Sequence, residues 1–387
     1  MASRDSNGEV IGTLSALISP SDASTALLRQ SACICPDTSS LQRIGGLATK
    51  VKDWDDLIQR AEQHALAPLL FHHLKQSGVT VSKQAMAQLR ALSIRHRHAN
   101  RVRSRMLFEI AEVFNEADIE CVILKGAALA WLIYPSPELR PMRDLDLLVP
   151  RSAALRAQRA LAEMGFDAPF VHQKKTMRSH HHLPNASRYC DGLQVSVEVH
   201  VDAVSGDYPD SIRLGDLACP LQEVVVESGR FSALGHEDML RHLCLHAFEP
   251  GSETRLICVA DIIGYAKHFA AEIDWEHIKQ KAPRITNTLS LLHYLTPLPA
   301  ELETFRPPSS CSLPKDLGLG LVPISQMLAG RRSTHALLKQ LMYPPEWWLR
   351  GYYGMSLSTP LSRIRWCNHL PRVGRWIYRR MRAVLTG

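Results

Sequence analysis

The chain has 387 residues, of which 45% are hydrophobic and 21% charged, with a formal net charge of +7 and a pI near 9.0. This composition is typical of a folded globular protein and argues against wholesale disorder. Nine scattered cysteines without a CxxC pair argue against a disulfide framework and favour a reducing compartment, so we expect a cytoplasmic location. No transmembrane segment is predicted, because Lys125 interrupts the longest apolar stretch, and the first twenty residues make a poor signal peptide.

The N-terminal part of the chain is predicted to be helical. Residues 1–45 are mixed in character and are expected to be partly ordered. Residues 46–117 carry apolar residues at helical spacing and end in a long helix, which Ser82 caps and which runs from Lys83 to about Ala117.

The texture changes at residue 118, and residues 118–215 are predicted to form an α/β core with a mixed sheet. Ile119–Leu124 is a short apolar run that indicates a strand, and Gly126 opens a helix. Arg143–Val149 predicts a second strand. Asp191-Gly192 is a strong hairpin signal between two further strands.

Residues 216–387 are predicted to be a second helical region that flanks the core, because the pattern after Pro220 is helical again. It ends in a basic tail. No acid follows Leu349, and this charge fits either a solvated basic helix or a surface for nucleic acid or membrane. The basic residues of the tail are Arg350, Arg363, Arg365, Arg372, Arg375, Arg379, Arg380 and Arg382.

Two aspartates on the second predicted strand carry the chemistry. Side chains alternate along a strand, so Asp144 and Asp146 project to one side and Leu145 to the other. Two adjacent carboxylates repel each other unless a cation lies between them. A divalent metal answers this, and oxygen ligands suit Mg²⁺ or Mn²⁺. We therefore expect the Asp146→Ala variant to leave the thermal stability of the metal-free protein nearly intact or to raise it, because one of two repelling carboxylates is removed.

The second hairpin strand adds a third acid. Alternate valines from Val195 to Val201 form an apolar face, while Glu198 and His200 lie on the polar face. If this strand lies beside the first, Glu198 joins the metal ligands, and three carboxylates can hold two metals roughly 3.5–4 Å apart for in-line nucleotidyl transfer. Taken separately, a D-x-D is often an exposed strand end and such alternation is common in half-buried strands.

The combined motif resembles the bacterial "uncharacterised nucleotidyltransferase" family of the DNA polymerase beta-like superfamily. The resemblance covers most of residues 50 to 285. It rests on Leu124-Lys125-Gly126, Arg140-Pro141-Met142-Arg143-Asp144-Leu145-Asp146, Trp54 through Leu74, Glu198-Val199-His200, Leu243 through Ala247, Asp261 and Ile273 through Glu276.

The resemblance implies that Asp144 and Asp146 are the paired metal ligands and that Glu198 helps to activate the acceptor. It also places Gly126 at a helix start where backbone N–H groups meet a triphosphate. The superfamily's serine after this glycine is Ala127 here. Three cations could supply the missing phosphate contact: Lys125, Arg140 and Arg143. Arg143 could equally be a surface arginine.

The histidines have weaker signals. His200 either supports the metal ligands or is a strand-end histidine bonded to a neighbour. The run His180–His182 does not favour zinc, because adjacent residues of an extended segment point to opposite sides. His242 and His246 have metal-compatible spacing, but a packed helix is the favoured interpretation.

The predicted activity is metal-dependent transfer of a nucleoside monophosphate from a triphosphate to a hydroxyl or phosphate of an unknown small-molecule or peptide acceptor, with release of pyrophosphate. One alternative is a non-catalytic nucleotide- or partner-binding protein, favoured by the absent serine. Another is a nucleic-acid-modifying transferase, favoured by the basic tail.

Overall fold

A six-stranded mixed sheet forms the centre of the protein in the computed structural model. The structure describes residues 23–169, 181–204, 211–227, 229–249, 255–308 and 342–385, with the backbone alone at 379, 380 and 382–385. The expectations for residues 1–22 and for His180 therefore lie outside the described residues. The strand order is β3-β4-β2-β1-β6-β5. The strands are β1 (Val122–Ile123), β2 (Leu145–Leu148), β3 (Ala186–Cys190), β4 (Leu193–His200), β5 (Gln222–Val226) and β6 (Gly229–Ala233).

Among the described residues, five helices precede the sheet: α1 (Ala23–Ser31), α2 (Thr38–Ala48), α3 (Trp54–Gln63), α4 (Ala67–Ser77) and α5 (Lys83–Glu116). The predicted long helix is confirmed as α5, and the Ser82 hydroxyl accepts a hydrogen bond from the N–H of Ala85 at 3.2 Å. This cap satisfies one of the donors that a helix start leaves unpaired. Helix α5 contacts both β4 and β6, so it packs across the sheet.

The predicted strand–helix–strand order of the core is also confirmed. Strand β1 leads into α6 (Lys125–Leu132), a 3₁₀ turn (Pro137–Leu139) precedes β2, and α7 (Ala154–Glu163) follows it. Strand β1 is only two residues long, shorter than the predicted run. The predicted hairpin is β3–β4, and its turn residues Asp191 and Gly192 both have positive φ, 47° and 76°.

The prediction that the chain is helical directly after Pro220 is wrong for residues 222–226 and 229–233. These residues are the paired strands β5 and β6, in which Val224 pairs with Phe231, and β6 runs parallel to β1. Both paired side chains are buried. The hairpin extends the sheet along the edge of β1 that β2 does not occupy.

Helices follow from residue 236 onward, as predicted. In the described part of this region they are α8 (His236–His246), α9 (Leu256–His268), α10 (Trp275–Lys281), α11 (Pro283–Leu292), α12 (Glu346–Tyr353), α13 (Leu361–Arg363) and α14 (Leu370–Leu385), with a 3₁₀ stretch at Ala300–Phe305 and a π-helical stretch at Ile364–His369. Among the described residues, no helix has the length and apolar character that crossing a membrane requires.

Candidate active site

The predicted acids meet on strands β2 and β4. These strands are parallel, and Asp146 is the Cα partner of Glu198, while Leu148 is the partner of His200. Since side chains alternate along each strand, Asp146, Glu198 and His200 project from the same face of the sheet. Asp144 lies directly before β2 and is half-buried. The strand pairing on which the third carboxylate depended is therefore present.

Lys125 reaches Asp146 from the first position of α6, two residues after β1 ends. The N–H of Leu124 donates to the carbonyl of Asp146 at 3.0 Å, which aligns the two segments. The Lys125 ammonium then donates to Oδ1 of Asp146 at 2.7 Å. Lys125 has a φ of 50°, which costs a residue with a side chain about 1–3 kcal/mol and persists only when its surroundings hold it. The contact with Asp146 is one such restraint.

His200 joins the two facing carboxylates. Its Nε2 lies 2.8 Å from Oδ1 of Asp146 and 3.4 Å from Oε2 of Glu198. Burial alone would lower the pKa of His200, but the hydrogen bonds that Asp146 and Glu198 accept raise it. The two carboxylates therefore favour a proton on Nε2 of His200, which donates to Asp146.

The two neighbouring aspartates differ in acidity. Burial would raise the pKa of Asp146, but the charges of Lys125 and His200 lower it well below its usual range. Burial and the charge of Asp146 raise the pKa of Asp144. The hydrogen bond from His200 lowers the pKa of Glu198. The repulsion expected between two carboxylates is thus relieved at Asp146 by protein cations and persists at Asp144.

The donor atoms fit a small cation. Ligand atoms of Asp146, Glu198 and His200 all lie within 4.8 Å of one another. Two carboxylate oxygens suit Mg²⁺, and the imidazole nitrogen widens the choice toward Mn²⁺. Within the part of the chain that the structure describes, Asp144 is not part of this close group.

A second ion pair lies behind Gly126. The Arg140 guanidinium donates to both oxygens of Asp261, with Nη2 at 2.7 Å from Oδ2 and Nε at 2.9 Å from Oδ1, and the Tyr134 hydroxyl donates to Oδ1 at 2.7 Å. All three side chains are buried. A Cβ on Gly126 would lie 2.8 Å from Nη1 of Arg140. The glycine therefore makes room for the guanidinium.

Comparison with known proteins places the chain in a family. Residues 50–302 match the family model described as "Uncharacterised nucleotidyltransferase". The chain belongs to this family. No curated protein matches the sequence. An antigenic nucleotidyltransferase-like protein from Paracoccidioides brasiliensis is 15% identical over 48% of this chain and 91% of its own, with a TM-score of 0.29.

A buried asparagine of α5 holds the segment from Pro137 to Met142 in place, and the sequence carries no signal for it. The side-chain amide of Asn100 donates to the carbonyls of Pro137 and Arg140, both at 2.8 Å. Its Oδ1 accepts from the N–H of Met142 at 3.3 Å. The segment that leads into the acidic strand is thus bonded to a rigid helix.

Arg143 and the histidine run lie at different depths. Arg143 is exposed.

The rings of His181 and His182 have centroids 5.5 and 5.4 Å from that of His200. The expectation that these neighbours point to opposite sides is therefore wrong, because residues 181–183 are a bend with an isolated bridge and not a regular strand.

Helix α8 carries the other histidine pair. His242 is 1% exposed, and neither of its ring nitrogens has a hydrogen-bond partner among the described residues. Burial lowers its pKa well below the usual range. Its ring stacks on that of His246 with centroids 6.2 Å apart. This packing agrees with the favoured interpretation of a packed helix.

Proposed function

We propose that the protein transfers a nucleoside monophosphate from a nucleoside triphosphate to a hydroxyl or phosphate acceptor, releases pyrophosphate, and depends on Mg²⁺ or Mn²⁺. The supporting observation is the register that sets Asp146 beside Glu198, with Lys125 at the adjoining helix start. Membership of a nucleotidyltransferase family supports the same chemistry.

The acids divide the work by their positions. Asp146 and Glu198 would hold the metal, with Asp144 as a further ligand to the substrate-bound metal. The metal supplies positive charge for the triphosphate and makes an acceptor hydroxyl more acidic. Glu198 is the more accessible of the facing pair, since its side chain is 24% exposed against 3% for Asp146. It is therefore our choice for the acceptor proton.

His200 positions Asp146. It is buried and donates to the same oxygen that Lys125 contacts. Such a bond fixes the direction in which a metal-binding carboxylate presents its second oxygen. We assign His200 a supporting role, with direct metal coordination through Nε2 as the alternative.

Lys125 and the start of α6 are our proposed triphosphate contacts. The first N–H groups of a helix have no partner within the helix and favour an anion, and Lys125 is the first residue of α6. An ammonium beside them supplies charge in place of the hydroxyl that Ala127 lacks. The exposed Arg143 is retained as a further candidate. Arg140 is not, because its guanidinium is bound to Asp261.

Label transfer tests the reaction for an acceptor of any chemistry. Each α-labelled ribonucleoside triphosphate is incubated with the protein, Mg²⁺ or Mn²⁺ and fractions of a cell extract. We expect one extract component to become labelled as pyrophosphate appears. The Asp146→Asn variant should lower this rate by at least about 100-fold, the scale for removing a group that stabilises transition-state charge.

The matched control is Glu223→Gln, which removes a carboxylate that is 65% exposed on β5. It should label the same component at the wild-type rate. Labelling that survives in Asp146→Asn contradicts the assigned site. Metal-dependent triphosphate binding without label transfer to any fraction favours the non-catalytic alternative.

A further inference from the structure

The last described helix leaves the body of the protein part-way along its length. Ile364, His369 and Val373 are buried and attach the segment to the rest of the protein. From Gly374 onward, every side chain that the structure describes is exposed, at 374–378 and at 381. The backbone nevertheless remains helical to Leu385. We call residues 374–385 the projecting helix.

Large apolar side chains of the projecting helix are exposed. Ile377 is 37% exposed, Tyr378 66% and Met381 59%. Ile377 and Met381 are four residues apart and continue the line that begins at the buried Val373, since residues four apart lie above one another on a helix. Trp366, 65% exposed, lies on the π-helical stretch that precedes this helix. A single exposed apolar side chain is common on a protein surface, but a set of exposed apolar side chains aligned along one helix marks a contact surface.

The charge of this segment has one sign. Glu346 is the last acid in the sequence, and it is bonded to Arg350 through Oε1 at 2.7 Å. Of the eight arginines beyond it, those at positions 372, 375, 379 and 382 follow one another at intervals of three or four residues, whereas Arg380 does not fit these intervals. Positions three and four residues apart are neighbours on one side of a helix. Arg372 lies over the ring of Tyr352 at 4.3 Å, which places the start of this series at the body of the protein.

We propose that the projecting helix docks on an anionic lipid surface, with Ile377, Tyr378 and Met381 entering the boundary between headgroups and acyl chains. A cationic helix with an aligned apolar set lies in the plane of such a surface, where hydrocarbon burial and attraction to anionic headgroups act together. The phosphates of a nucleic acid would pair with the arginines, but they would not bury the aliphatic side chains of Ile377 and Met381. The aliphatic exposure therefore favours lipid over nucleic acid.

Vesicle flotation of the full chain tests the proposal. We expect the protein to float with vesicles of phosphatidylcholine and phosphatidylglycerol and to remain largely unbound with pure phosphatidylcholine vesicles. The double variant Ile377→Asp/Met381→Asp should reduce the bound fraction at least tenfold. Because both side chains are exposed, circular dichroism of the variant should match the wild type.

The control double variant Ile94→Asp/Val225→Asp removes two aliphatic residues that are 46% and 72% exposed elsewhere. It should bind vesicles as the wild type does. Three results would each overturn the proposal: no flotation of the wild type with anionic vesicles, equal flotation of the two double variants, or a loss of RNA binding without a loss of vesicle binding in Ile377→Asp/Met381→Asp. If the flotation of the two double variants is equal and salt abolishes it, the surface binds by charge alone.

Discussion

Two cation–aspartate pairs lie on either side of Gly126, and they differ in how the cation is held. In each pair the closest nitrogen–oxygen distance is 2.7 Å and the aspartate side chain is 3% exposed. Lys125 makes one bond to an oxygen that His200 also contacts, and 18% of its side chain is exposed. Arg140 instead binds both oxygens of its aspartate through a planar fork.

This difference indicates different purposes. A guanidinium that fits a carboxylate at two points is fixed in orientation, whereas an ammonium on a flexible stem can exchange partners. The Arg140–Asp261 pair therefore holds the Arg-Pro segment against α9. The Lys125–Asp146 pair keeps two groups together that we expect to separate when metal and triphosphate bind.

The largest effect is expected in the Arg140–Asp261 pair. Asp261→Ala leaves Arg140 and the Tyr134 hydroxyl buried without their acceptor, and breaking a buried pair in this way costs about 3–5 kcal/mol. Urea unfolding measures the loss of unfolding free energy. The control Glu276→Ala removes a 76%-exposed partner of Lys279 and should change stability by less than about 1 kcal/mol. Equal losses in the two variants would show that the Arg140–Asp261 pair does not stabilise the fold.

A substitution in the Lys125–Asp146 pair is expected to change ligand binding. Lys125→Ala should weaken triphosphate binding by about 1.5–3 kcal/mol, the range for a hydrogen bond to a charged group. The same variant should bind Mg²⁺ or Mn²⁺ more tightly, because a cation that competes for Asp146 is gone. Calorimetric titrations with triphosphate, nucleoside and metal measure both changes. Unchanged triphosphate affinity together with tighter metal binding would leave Lys125 only a balancing role.

The stability of a Gly126 variant is expected to depend on the space that the Arg140 guanidinium needs. Gly126→Ala puts a methyl group against the Arg140 guanidinium, and such overpacking costs about 1–3 kcal/mol. The control is Gly46→Ala, an exposed helical position at which a Cβ meets nothing within 4 Å. The control should be neutral or stabilising by up to about 1 kcal/mol. Thermal unfolding of both variants decides whether Gly126 is needed for packing.

The smallest effect is expected for Asp146→Ala, which should lose less stability than Asp261→Ala. Asp146→Ala should destabilise the metal-free protein by about 1–2 kcal/mol, since removing one partner of a hydrogen bond to a charged group carries a cost, but Lys125 can still reach water. This prediction differs from the expectation of nearly intact or raised stability, because Asp146 accepts hydrogen bonds from Lys125 and His200 in the structure. The urea midpoint of this variant should lie between those of wild type and Asp261→Ala. A midpoint at or above that of wild type would restore the simpler interpretation based on carboxylate repulsion.

Much of the sheet could be predicted because its strands carry their own pattern. The alternation from Val195 to Val201 indicates which face of β4 is apolar, and Asp191-Gly192 determines the turn. The β5–β6 hairpin has a weaker local signal. Its pairing with β1 depends on a contact between Ile123 and Ala233, far apart in sequence, and local periodicity carries no information about such a partner.

The same limit applies to the site. Asp146 and Glu198 could be placed together from strand alternation and the family resemblance. The partner of Arg140 could not be predicted, because Asp261 is 121 residues away. An arginine beside a D-x-D motif is equally suited to binding phosphate. Asn100 has no sequence signal, since one polar residue in a long helix is usually exposed.

Calorimetric titration of each ribonucleoside triphosphate, with Mg²⁺ and with chelator, tests the central claim that Asp146 exchanges a protein cation for a metal-bound substrate. We expect binding of at least one triphosphate by the wild type with Mg²⁺, loss of that binding with chelator, and loss in Asp146→Asn even with Mg²⁺. Equal affinity with and without metal, or unchanged affinity in Asp146→Asn, would contradict it.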